Sequence, residues 1–243
     1  MQLSMERWYD AAAKRCSVRR YKGEPDNVNL RALQETAGQL CARGVRIELG
    51  MSERAFAGAH AAKISGTACF AAFIAKKSAQ KESVGYLGEA FILECTALGL
   101  GTCWAGASYN RTAVMECLEL DNDEKLVLVT AVGIPDEAYS SRPRKPLTKL
   151  TGLSEESLAA LPDWQRCALE CGRRAPSAIN AQPWSFSAGE GSILMKRTSQ
   201  NFGYGTLDCG IAMLHIELGA AHAGVLGEWR EAKGGWEFIT QLQ

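Results

Sequence analysis

Two long apolar helices, each rich in small residues, constrain this chain most. One is expected over 85–100, with Gly88, Ala90 and Ala97 along it, and the other over 207–223. Small side chains let another helix or a ligand come close to the backbone. Gly88-Glu89-Ala90 and Gly210-Ile211-Ala212 each open a helix that ends in a glycine, Gly99 and Gly224 respectively. The spacing of the two copies drifts by a few residues, and the repetition points to a plan of two halves.

Shorter elements fill in around these helices. A helix is expected over 4–15, with Ser4 as its N-cap and Trp8, Ala11 and Ala12 on its apolar side. A second runs over 29–43, with Leu30, Leu33, Ala37 and Leu40 on one face. Residues 45–51 alternate like a strand. The continuous apolar run 67–75, bounded by charges, fits a central buried strand, and 126–134 reads as a strand that stops at Pro135. The capping-box pattern of Ser154-Glu155-Glu156-Ser157 opens a helix reaching about Cys171. Residues 184–187 and 192–196 form a hairpin, and 225–230 and 236–240 two final strands. The basic, proline-rich segment 141–146 closes the first half, which gives halves at 1–150 and 151–243 that together make one structural unit.

At 243 residues, 47% hydrophobic and 22% charged, the chain can bury a substantial core. Its 27 Lys and Arg balance 27 Asp and Glu, so net charge draws it neither to nucleic acid nor to an anionic membrane. The first fifteen residues carry Glu6, Asp10, Lys14 and Arg15 and no apolar run, unlike a secretory signal, and the apolar stretch 68–75 is too short to span a bilayer. A cytoplasmic protein without a nucleic-acid or membrane partner is expected. The nine scattered cysteines read as free thiols of a reducing compartment. Cys167 and Cys171, four apart, read as packing residues, and no metal site is expected.

Four segments carry chemistry. Arg15-Cys16-Ser17-Val18-Arg19 sets two arginines four apart on a helix end, where they share a face and either fork around an anion or form a solvated basic terminus. Arg142-Pro143-Arg144-Lys145-Pro146 holds positive charge on a stiffened backbone, as a phosphate grip or as a linker. Residues 98–106 are glycine-rich after a helix, for close approach of a flat ligand or simply as a helix cap and tight turn. They lack a dinucleotide fingerprint, because Trp104 stands where the third glycine belongs. Residues 175–184 offer Ser177, Asn180 and Gln182 as donors and acceptors between two prolines, beside Trp184.

Taken together, these segments resemble the FMN-dependent nitroreductase family, most closely its single-chain branch known as putative TM nitroreductases. The resemblance is strongest at 15–20, 87–106, 142–147 and 175–186. In family members made of two identical chains, one chain supplies the Arg-rich helix end and the basic segment, and the other supplies a Pro-Ser-x-x-Asn loop. Here that loop lies in the second half of the chain, far from the Arg-rich segment. The resemblance therefore implies an α+β, nitroreductase-like fold: two similar α/β halves fused as an intrachain pseudo-dimer, with central antiparallel or mixed sheets flanked by helices. One complete flavin site and one lost site follow, with a monomer expected and a homo-oligomer left open.

Carried onto this chain, the resemblance gives Arg15, Cys16, Ser17 and Arg19 to the ribityl-phosphate and pyrimidine edge of FMN, and Arg142 and Arg144 to the phosphate. Trp104, Gly106 and Ala107 would present backbone near the reactive ring edge. Pro176, Ser177 and Asn180 come from the other half; Gln182, counted with the cofactor-binding set, and Trp184 support their loop. Ala178 stands where serine is common. Lys63, Ser65 and Thr67 lie near where further flavin contacts belong, without being assigned to them. No side chain is expected to be catalytic, and His60, His215 and His222 need no such role. The activity implied is ping-pong hydride transfer from NAD(P)H through FMN to a small flat acceptor such as a nitroaromatic or quinone. Reductive dehalogenation, flavin fragmentation and non-enzymatic flavin binding remain alternatives on the same fold.

Overall fold

The computed structural model describes residues 2–58, 63–136, 138, 140 and 142–241. Expectations placed on His60 and Ser141 lie outside them. Among the described residues, eight α-helices and eight strands fall into two compact units. One unit is Lys14–Ser141; the other joins Met1–Ala13 to Arg142–Gln243. The basic segment expected to close the first half thus belongs with the C-terminal elements, as do all but the last residue of the first helix, α1 (Gln2–Lys14). That helix begins before Ser4, which sits inside it rather than capping it.

In the unit Lys14–Ser141, α2 (Asn27–Gln39) is capped by Asp26, whose side chain accepts from Asn29 N. It precedes β1 (Val45–Met51) and β2 (Cys69–Lys76). Then come α3 (Lys81–Ala97), β3 (Gly101–Ala105), the short α4 (Arg111–Met115) and β4 (Glu124–Gly133). The strands pair antiparallel in the order β1-β2-β4-β3. As its unbroken apolar sequence requires, β2 is interior and buried from Cys69 to Ala75. Residues 101–105, expected as part of a turn, instead form an edge strand.

The second unit repeats the plan. The short helices α5 (Leu147–Thr151) and α6 (Glu155–Ala159) lead to α7 (Asp163–Arg174). Ser154 caps α6 as expected, but the helix does not continue to Cys171: Pro162 interrupts it, since proline fits a first turn and not an interior. There follow β5 (Trp184–Gly189), β6 (Ser192–Arg197), α8 (Gly205–His222), β7 (Gly227–Ala232) and β8 (Gly235–Thr240). Their order, β5-β6-β8-β7, matches that of the other sheet, and again every pair is antiparallel. In both units a helix precedes the first strand and another links the second strand to the third. Even the ends of the linking helices agree. Gly99 (φ 79°) and Gly224 (φ 80°) turn the chain left-handed, with paired backbone bonds from Gly99 N to Thr96 O and Leu100 N to Cys95 O, and from Gly224 N to Ala221 O and Val225 N to Ala220 O. The protein is α+β, built from two halves of one topology.

Small residues set the packing of α7 on α8. A Cβ on Gly219 would lie 2.6 Å from Cys167 O and 2.7 Å from Ala168 Cα, so the two helices meet backbone to backbone there. No helix of the described residues is long and apolar enough to cross a membrane.

Candidate functional site

The chain leaves α1 at Lys14 and runs on without helix. Ser17 and Arg20 form β-bridges to Thr102 and Ser65, and Val18 N donates to Thr102 O at 2.9 Å. The expected helical face shared by Arg15 and Arg19 is therefore absent: the β-bridge at Ser17 pulls the chain out of the helix. Arg19 stays half-buried, with Nη1 3.5 Å from Ser17 O. Arg15 turns inward, its side chain 5% exposed, and its Nε lies 3.7 Å from Oε1 of Glu89, whose side chain is fully buried in the middle of α3. The Nη groups of Arg15 hydrogen-bond to nothing among the described residues.

Glu89 also holds Trp104. The indole Nε1 of that residue, on β3, donates to Glu89 Oε2 at 2.9 Å. The indole leans on the Phe73 ring, with centroids 4.6 Å apart, and lies so close to α3 that a Cβ on Gly88 would sit 2.5 Å from Trp104 Cη2. Two residues expected to face a cofactor, Arg15 and Trp104, thus converge on one carboxylate that belongs to none of the expected site residues. A lone acid in an apolar stretch of helix was the signal available. Gly106 and Ala107 follow directly at the end of β3, half-buried and exposed. Ser65 and Thr67 are engaged in the backbone scaffold: Ser65 O accepts from Tyr21 N, and the Thr67 hydroxyl donates to Val132 O at 2.7 Å. Lys63 is exposed.

In the other unit, the loop after α7 meets the basic segment. Arg144 Nη1 donates to Asn180 Oδ1 at 2.8 Å, and Asn180 Nδ2 donates to Pro143 O at 2.9 Å. The buried Gln182 accepts from Lys145 N at 2.7 Å and donates to Asn180 O at 3.0 Å, while its own N–H bonds Ser177 Oγ at 2.8 Å. Gln182 therefore braces the loop, as does Lys145, whose Nζ reaches Ala181 O and Gln182 O. Burial, with Lys149 nearby, holds the Lys145 amine below its ordinary range. Arg142 is exposed and its side chain reaches no partner among the described residues. Pro176 is buried, and Trp184 is buried with an indole N–H that finds no acceptor among the described residues.

The loop is strained. Ile179, Asn180 and Gln182 have φ of 50°, 60° and 48°. Asparagine tolerates this region, but a β-branched residue rarely enters it, and Ile179 does so while 72% exposed. The geometry is held from α8. Asp208 is 2% exposed; its Oδ1 accepts from Ala178 N at 3.0 Å and its Oδ2 from Asn201 Nδ2 at 2.6 Å, and Asn201 Nδ2 also donates to Ala178 O at 3.0 Å. Burial pushes the Asp208 carboxyl up to about 6, against the opposing pull of those two donors.

Among the described residues, His215 and His222 stand apart from these clusters. His215 is buried in α8 with Nδ1 3.9 Å from Cys171 Sγ, and His222 stacks on Tyr9 and pairs with Glu6 at 3.0 Å. All nine cysteines are free thiols; burial raises Cys69 and Cys171 to about 12. Next to the basic segment lies a cleft of about 550 Å³, walled by Arg144, Leu147, Leu158, Arg166, Leu169 and Arg173. Arg166 and Arg173 are paired there with Asp163 and Glu170.

Comparison with known proteins decides the family. The model of the family described as "Putative TM nitroreductase" matches residues 7–220, nearly nine-tenths of the chain. The chain belongs to this nitroreductase family. The crystal structure of a nitroreductase from Thermotoga maritima, itself described as putative, aligns over 97% of this chain and 94% of that one, with a TM-score of 0.68 and 21% identity. Two shorter chains match in part. A nitroreductase from Desulfovibrio desulfuricans, solved in complex with FMN, covers 59% of this chain and 94% of its own, at 21% identity and a TM-score of 0.48. Iodotyrosine deiodinase bound to FMN and 3-iodo-L-tyrosine covers 57% and 95%, at 20% identity and 0.44. A search of curated proteins gives no match. For this nitroreductase-family chain, the two clusters around Glu89 and Asn180 contain most of the segments that carried the resemblance.

Proposed function

We propose that this protein is an FMN-dependent NAD(P)H oxidoreductase that reduces a small flat acceptor, a nitroaromatic or quinone. Family membership supports this reading, and one observation carries it: Arg15 is buried while its Nη donors stay unengaged among the described residues. A buried guanidinium is costly unless its donors meet acceptors, and a flavin offers them as pyrimidine carbonyls, ribityl hydroxyls and phosphate oxygens. The residues present fit such a group.

Bound FMN supplies the hydride chemistry. The protein's part is to bind and orient. Arg15, Cys16, Ser17 and Arg19 line the polar edge of the cofactor, and Arg142 and Arg144 take the phosphate by charge-assisted bonds. Trp104, Gly106 and Ala107 offer backbone and a flat wall, with no bulky side chain at 106 or 107 to keep a ring away. The family resemblance also gives Pro176, Ser177 and Asn180 to the cofactor, and Gln182 and Lys145 keep their loop in shape. The repeated sheet order supports a fused pseudo-dimer, and the single occurrence of the Arg-rich and basic segments and of the Pro-Ser-x-x-Asn loop supports one flavin per chain. We take it to act as a cytoplasmic monomer, with small molecules as its partners.

The test is the visible spectrum of the purified protein, with released flavin identified and counted, followed by NAD(P)H oxidation with a nitroaromatic acceptor. One FMN per chain and turnover uphold the proposal. Two FMN per chain would overturn the single-site reading, and FMN without turnover would make the protein a flavin carrier. No uptake from excess FMN would remove the flavin altogether.

A further inference from the structure

We propose that Glu89 is a positioning residue for the flavin, fixing Arg15 and Trp104 while its negative charge offsets the positive charge of Arg15. The inference rests on the FMN reading and deepens it.

Its ground is the division of labour between two oxygens. Oε1 faces Arg15 Nε at 3.7 Å and Oε2 accepts from Trp104 Nε1 at 2.9 Å. The carboxylate is fully buried on a helix whose neighbouring positions, Gly88, Ala90, Phe91, Ile92 and Leu93, are buried and non-polar. Apolar packing would close such a core at lower cost than a buried ion pair. What the carboxylate adds is direction. Its ion pair with Nε, at 3.7 Å, holds the guanidinium in place and leaves the Nη pair without a hydrogen bond among the described residues. The carboxylate also fixes the rotation of an indole already confined by Gly88 and Phe73. Both charges lie out of water, where they act strongly on a neighbouring group. Reduction adds negative charge to a flavin. An Arg15 freed of its counter-charge would therefore favour the reduced cofactor.

The experiment measures FMN affinity, Trp104 fluorescence and the midpoint potential of bound FMN in wild type, Glu89→Gln and Glu89→Asp. In Glu89→Gln the amide oxygen still accepts from the indole but the charge is gone, so FMN stays bound and its potential rises. In Glu89→Asp the charge remains but is withdrawn by one methylene. The potential then stays near that of wild type while affinity falls about tenfold and the indole emission shifts. A residue needed only for folding would not raise the potential. A wild-type potential in Glu89→Gln overturns the proposal. If that variant does not fold, wild-type affinity in Glu89→Asp overturns it. A wild-type protein that takes up no FMN fails one step earlier and brings down the flavin reading itself.

Discussion

Arg144 and Asn180, 36 residues apart in the chain, share a 2.8 Å hydrogen bond from a guanidinium Nη1 to an amide oxygen. Each was expected to face a cofactor. Instead, each also determines where the other points, so the basic segment and the strained loop behave as one device. Asn180→Ala would take from Arg144 its side-chain acceptor while Arg174 O and Arg142 O still hold the guanidinium, leave Pro143 O without its donor, and relax the loop. FMN affinity should fall about tenfold, with an altered flavin spectrum. A titration that matches wild type in both would take Asn180 out of the site.

Arg142 offers a cleaner probe of the phosphate. Its side chain is exposed and reaches no partner among the described residues, so Arg142→Ala should leave thermal stability within about 0.5 kcal/mol. One charge-assisted phosphate bond is worth about 1.5–3 kcal/mol, which corresponds to a ten- to hundredfold loss of FMN affinity. Equilibrium FMN titration and a melting curve on the same sample check the two halves of this prediction.

Gly88→Ala tests the packing of Trp104. The new methyl would sit 2.5 Å from Trp104 Cη2 and 3.0 Å from Phe73 Cε1. Neither ring can bend away, and the indole is tied to Glu89. Overpacking of this kind costs about 1–3 kcal/mol, and the displaced indole should lose FMN affinity together with stability. Denaturant unfolding and tryptophan emission would report both.

Asp208 makes stability depend on pH on the acid side. Its folded-state value, about 6, lies above the unfolded value of about 3.9, so the folded protein holds this proton more tightly. The associated stabilisation is complete below pH ~4 and is lost as pH rises through ~6, by roughly 1–3 kcal/mol. Asp208→Asn should flatten the stability profile across that window. An unchanged slope in urea melts at pH 4, 5 and 6 would mean that another group titrates.

Arg46 and Glu124 work in the opposite sense. Arg46 Nε and Nη2 meet Glu124 Oε1 and Oε2 at 2.8 and 2.9 Å. Those bonds hold the carboxyl down at about 2, below its unfolded value of about 4.3. Their stabilisation is therefore present above pH ~4 and fades as pH falls toward 2. Arg46→Met should cost about 1–3 kcal/mol at neutral pH and progressively less in acid, as acid-titrated melting curves would show.

Local patterns made much of the fold legible. Residues 45–51 alternate, and they form a strand over that same span; the apolar run at 67–75 fits an interior strand, and β2 at Cys69–Lys76 is one. Where local cues conflicted, the outcome was harder to read. Gly101 and Thr102 look like a turn after a helix, yet pairing with β4 makes them a strand. The capping pattern at Ser154 points to one helix reaching Cys171, but Pro162 divides that span into α6 and α7. The family motifs mark Arg15, Arg144 and Asn180 by side-chain chemistry, and Trp104 by its place in the glycine-rich segment after α3. Glu89 and Asp208 escaped notice. Each is an acid buried in a largely apolar helix, and its importance arises from partners 7 to 74 positions away that no periodicity reveals.

The strand order that occurs twice in this chain has a hereditary consequence. Where two identical subunits share one gene, every substitution is made in both, and no change can favour one copy alone. A chain that writes the same sheet plan twice escapes that rule. Its Asn180 loop can stay strained while the corresponding stretch beside β1 drifts, and selection can act on each version separately.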